Sequence, residues 1–197
     1  VSPAHADWTL PALLACLQAG VPVIFHDAHG DPVGWCFGPR RRETTLTNLL
    51  REGLAQPEWA QRFTDWHVAA ERRQIIDSLS ATCTPCRWLD AAGARTQLCN
   101  RHLRRIGVPV GGVLRAFRRA AAGLASEQLQ RNVDDASLIG FARPGLHLGL
   151  VLTGLLEWPM HRMLWASPVA EITALPPARF AAASIEKHGA TLHRTLG

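Results

Sequence analysis

Pro57-Glu58-Trp59-Ala60-Gln61-Arg62-Phe63-Thr64-Asp65-Trp66-His67-Val68-Ala69-Ala70 decides the fold class of this chain. Proline at the start pre-sets a helical φ where no hydrogen bond is lost. Trp59, Phe63, Trp66 and Ala70 then recur at helical spacing. The pattern predicts one long helix over 58–79, with those four side chains as its buried stripe.

On the N-terminal side a shorter helix fits 46–54, with Thr45 as its cap. Before it, Val21-Pro22-Val23-Ile24-Phe25 and Val33-Gly34-Trp35-Cys36-Phe37 are β-type runs around the turn-forming cluster 26–32. The pair reads as a hairpin, with Pro22 suited to an edge. Thr9 can cap a helix over 10–17 that Gly20 ends. Toward the C-terminus a helix fits 113–129, where Leu114, Phe117, Ala121 and Leu124 share a face. A buried element follows at 146–158, bounded by Pro144 and Pro159, and a last helix fits 178–188. The chain is therefore expected to be mostly α with one small β-hairpin near the N-terminus. Residues 1–42 would form the hairpin part and 43–197 a helical domain.

Between the long helix and the one at 113 lies Cys83-Thr84-Pro85-Cys86, followed after twelve residues by Cys99-Asn100-Arg101-His102. Two ligand pairs, each with two residues between, suit a tetrahedral ion. Three thiols and one imidazole favour Zn2+ over an all-thiolate cluster, and a closed set of four leaves no position for a nucleophilic water. Cys83, Cys86, Cys99 and His102 are thus candidate ligands of a structural zinc in an inserted module, 83–106, resembling a treble-clef zinc module. Cys99 and His102 are expected just before a helix that starts near Leu103. The bland alternative is thiols packed as small apolar groups. Five cysteines, an odd number, do not suggest a disulfide framework and point to a reducing, cytoplasmic setting. No secretory leader is evident at the N-terminus. The most apolar run, 146–156, is well short of the roughly 20 residues that span a bilayer.

Charge is concentrated in the same region. Residues 83–119 carry Arg87, Arg95, Arg101, Arg104, Arg105, Arg115, Arg118 and Arg119 against Asp90 alone, a net +7 in a chain whose total is +5. Arginines so clustered suit the phosphates of a nucleic acid, with solvated helix faces and acidic protein surfaces as the competing explanations. Arg101, Arg104, Arg105, Arg115, Arg118 and Arg119 are the candidate contacts. Trp88 inside the module could stack on a base, though core packing is the favoured reading of it, as of the other tryptophans. Arg40-Arg41-Arg42 reads as a solvated loop, and His26, Asp27, His29 and Asp31 as turn residues rather than a metal site. No phosphate-binding loop, dinucleotide fingerprint, HExxH or nucleophile elbow is present.

Two segments resemble the CRISPR-associated integrase family, metal-dependent DNA endonucleases that insert spacers into CRISPR arrays. The helix at 10–17 leading into Gly20-Val21-Pro22-Val23-Ile24-Phe25 and Gly30-Asp31-Pro32-Val33-Gly34 looks like the end of that family's N-terminal β-domain. Arg143-Pro144-Gly145-Leu146-His147-Leu148-Gly149-Leu150 looks like the segment that opens a core helix there. The resemblance covers about half of the chain. It implies antiviral defence and a DNA substrate, but the family's catalytic acids after the Arg-Pro would fall at Gly149 and Leu152, which ligate nothing. No histidine occurs between His102 and His147, where the catalytic one should stand, and Glu127 matches no family motif. Together these imply a shortened, non-catalytic relative that binds nucleic acid, DNA in preference to RNA, or other subunits of a CRISPR-associated complex. The alternatives are an active metal-dependent endonuclease with relocated ligands and an assembly factor for an acidic protein.

Overall fold

The computed structural model describes residues 8–38, 45–85, 90–133, 135, 138 and 147–196. Cys86, Trp88, Arg40 to Arg42 and Arg143 to Leu146 lie outside them. The described residues are mostly helical, with one two-stranded antiparallel hairpin near the N-terminus. They fall into two compact units, one drawn from 1–65 and 121–153 and the other from 66–120 and 154–197. The expected hairpin belongs to the first of these, together with 45–65 and 121–153.

In the first unit α1 spans Leu10–Gln18, and Thr9 Oγ1 accepts from the Ala12 N–H at its start. Strands β1 (Val23–His26) and β2 (Pro32–Cys36) pair Val23 with Cys36 and Ile24 with Trp35, with an irregularity after Phe25. Asp27 closes the turn by accepting from the Asp31 N–H and, secondarily, the His29 N–H, which hold its carboxyl below the usual range. The turn reading of that cluster therefore holds. Helix α2 is Thr45–Ala55, and the long helix α3 runs Trp59–Ala81. Trp59 and Phe63, in its first turns, pack with Phe37, Leu50 and Leu54 against Leu129, Val133 and Leu148. Trp66 departs from the expected stripe and is 45% exposed.

The second unit is built on the rest of α3, on α4 (Ala91–Ile106) and on parts of α5 (Gly111–Asn132) and α6 (Leu148–Ala166). A short helix, α7 (Val169–Ala174), and a long one, α8 (Pro177–Leu196), follow. Its core joins Ile75 and Leu79 of α3, Ala94 and Leu98 of α4, and Trp158 of α6. Phe117 meets Phe180 edge-on at 5.8 Å.

Three expectations are corrected here. Helix α4 does not start near Leu103 but runs unbroken through Cys99 and His102, because Asp90 caps it by accepting from the Gly93 N–H at 2.7 Å. It ends at Gly107, whose φ of +80° is a left-handed cap that glycine adopts without strain. Pro159 does not bound the apolar element, since α6 continues through it. The last helix is longer than 178–188, with Pro177 as its first residue.

Candidate nucleic-acid interface

Helix α4 organises the charged part of the second unit by presenting different chemistry on different faces. Ala94, Leu98, His102 and Ile106 follow one another four residues apart and are all buried. Gln97, Asn100, Arg101 and Arg104 lie on another stripe and, with Thr84 and Pro85, line a cleft of about 280 Å3. Arg95 stands apart from both, as part of an internal ion network.

That network uses up much of the positive charge. Glu157 of α6, its side chain 15% exposed, receives Arg95 Nε at 3.1 Å and Arg118 Nη2 at 3.0 Å. Arg95 also reaches Glu71 at 3.5 Å, and its guanidinium lies 4.8 Å from the centre of the Trp158 ring. A carboxylate this enclosed is costly to bury unless charged partners meet it.

The six candidate arginines are therefore not equivalent. Arg118 is committed to Glu157. Arg105 donates to the Leu164 and Ser167 carbonyls at 3.3 and 2.7 Å, satisfying the end of α6 as a cation at a helix C-terminus should. Arg104 and Arg115 are exposed, on α4 and α5. Arg101 donates from Nε to the Thr82 carbonyl at 3.3 Å and lies 5.5 Å from the Trp165 ring centre, while Arg105 lies 5.0 Å from the same centre. Arg119 is half-buried, and its Nε has no partner.

Among the candidate zinc ligands, Cys83 is exposed at the end of the turn after α3, with φ +50°, and Cys99 is half-buried on α4. Burial, followed by the Glu157 carboxylate, raises the Cys99 thiol above its ordinary range. His102 is fully buried, and its Nε2 lies 3.2 Å from Nδ1 of His161, the rings stacked with 5.3 Å between centres. Burial, then His161 and Arg105, pulls His102 down to about 3. Burial, then Arg95 and Arg118, pulls His161 down to about 4. Both imidazoles are neutral, and each keeps its outer nitrogen, His102 Nδ1 and His161 Nε2, without a partner.

Among the described residues no three His, Cys, Asp or Glu side chains come together as a ligand set. Cys86, the fourth candidate, lies outside those residues. One observation suits zinc at His102. A zinc-bound imidazole commonly passes its second nitrogen to a neighbour, and here Nε2 faces His161 while Nδ1 is buried and unmet.

Sequence reasoning missed Glu157, His161 and the amides Gln97 and Asn100. The amide–arginine repeat at 97, 100, 101 and 104 was open to a helical reading once α4 was extended back to Asp90. Glu157 and His161 carry no local signal, since each finds its partners dozens of residues away. Glu127, the acid weighed on α5, is paired with Arg131 one turn on. No helix among the described residues is long and apolar enough to cross a membrane. No family model, curated protein or solved structure matches this chain.

Proposed function

We propose that this chain is a non-catalytic nucleic-acid-binding protein that holds DNA through phosphates, a cytoplasmic relative of the CRISPR integrase acting within a CRISPR-associated complex. The observation that carries the reading is the division of the arginine cluster. Among the described residues of the cluster, after Glu157 and the end of α6 have taken Arg95, Arg118 and Arg105, four remain with no carboxylate partner: Arg101, Arg104, Arg115 and Arg119. Zinc held by Cys83, Cys86, Cys99 and His102 belongs to the same proposal as a structural element of the turn and helix that carry Arg101 and Arg104.

Four phosphate contacts release counterions, so log affinity should fall against log salt with a slope of about −3.6 on duplex DNA. Arg104→Ala and Arg115→Ala should each flatten that slope by about 0.9, whereas Arg118→Ala should act through stability instead. Titrations of labelled duplex at stepped salt measure this, and a flat dependence would refute phosphate binding. Manganese in the same reactions tests the enzymatic alternative, because a non-catalytic protein leaves the duplex uncut. Poly-glutamate as competitor tests the acidic-protein alternative. Displacement of DNA at equal charge concentration would favour it over a nucleic-acid partner.

A further inference from the structure

The apolar cluster that closes the first unit does not seal itself. Beside α2 and the start of α3 it opens into a pocket of about 240 Å3, walled by Leu49, Leu54, Trp59, Phe63 and Leu148. Positions 49, 50, 53 and 54 share one face of α2 by helical spacing. Three of them are leucines and the fourth is Gly53. A glycine within a helix weakens it relative to alanine, and Gly53 is not a left-handed cap that would require one. What it leaves is room, since a Cβ built there meets no heavy atom within 4 Å. Leu49 beside it is 58% exposed. A concave apolar wall of this kind gains from an apolar body more than from water.

The rim carries a single charge. Arg62 lines the pocket and is exposed, while no acid is among the described residues that line it. Gln56 Oε1 accepts from Arg62 Nη1 and holds one corner of the guanidinium. Among the described residues no carboxylate pairs with it. Its Nε and Nη2 are left as a fork of the kind that suits a carboxylate. The pocket also lies against the first turn of α3, where the helix dipole favours an anion. In size it exceeds the roughly 150 Å3 that takes a benzene ring, so a ring with a short tail or a folded alkyl chain fits.

We propose that this pocket binds a small apolar monocarboxylate, an alkanoate or arylalkanoate, with its tail among the leucines and aromatic rings and its carboxylate on Arg62. The pocket belongs to the first unit and the arginine cluster to the second. The proposal therefore does not rest on the nucleic-acid reading, and either can fail alone.

Isothermal titration of the protein with octanoate, phenylpropionate and uncharged octanol tests it. At least one of the two acids should saturate at one per chain, and whichever binds tighter names the tail. Octanol should bind about tenfold more weakly than octanoate, the scale of one hydrogen-bonded charged contact. Arg62→Ala should weaken the acids about tenfold and leave octanol unchanged, and its exposure makes this variant safe for the fold. Gly53→Leu should fill the pocket and abolish binding of all three, with a melting temperature held or raised. Octanol binding as tightly as octanoate, indifferent to Arg62→Ala, would overturn the carboxylate. Binding that survives Gly53→Leu in a folded protein, or no saturable binding at all, would overturn the site.

Discussion

His102 and His161 share a hydrogen bond at 3.2 Å where water does not reach, and both rings stay neutral. A histidine whose folded pKa lies below its unfolded value, near 6.5, stabilises the fold above that value. The contribution is lost as pH falls through 6.5 toward the folded values, about 4 for His161 and about 3 for His102. Unfolding across that window takes up as many as two protons, so stability should fall by up to about 2.7 kcal/mol per pH unit. Urea melts at stepped pH, with chelator present so that only protons compete for the rings, measure the slope. His161→Gln should reduce it by about half. Constant stability between pH 6 and pH 4 would contradict the neutral pair. The same ring bears on the metal. About one equivalent of zinc per chain should survive purification, as four closed ligands retain a structural ion. Cys83→Ser should release it; protein that is metal-free as purified, with a melting point indifferent to added zinc, would remove zinc from the proposal.

At the scale of elements, α4 matters most because three chemistries depend on its register. Asp90 accepts from the Gly93 N–H at its start, and Asp90→Ala should cost about 1 kcal/mol in denaturant melts, the usual worth of such a cap. A change below about 0.3 kcal/mol would mean that burial of Leu98 and His102 alone fixes the helix. Much of the fold was legible where residues carry local instructions: Thr9 and Pro57 at helix starts, the Asp27–Asp31 turn between two β-type runs. It was illegible where tertiary contacts overrule them. Pro159 reads as a stop, yet α6 passes through it, and its turn is packed at Trp158, whose carbonyl accepts from Ser78. Trp66 reads as core but is exposed, because the buried part of α3 lies further on at Ile75, Ser78 and Leu79. For the site, the arginine cluster was visible but its division was not. Glu157, which neutralises part of it, stands 62 residues from Arg95 and 39 from Arg118.

For the molecule as a whole, the two units interleave along the chain. The first takes 1–65 and then 121–153, the second 66–120 and then 154–197. The three changes of unit fall inside α3, α5 and α6, with no linker at any of them. A helix is cooperative along its length, so loss of one unit frays helices that the other needs. Denaturant unfolding followed by tryptophan fluorescence and by helical circular dichroism should therefore give one coincident transition, and two separated transitions would show independent units. Interleaving has a further, genetic consequence. A single cut anywhere from 66 to 152 leaves neither piece with a complete unit, and the shortest pieces that keep one unit whole, 1–153 and 66–197, each carry a segment of the other. A recombination event that joins this chain to another inside that stretch therefore breaks the arginine-bearing unit and the hairpin unit together.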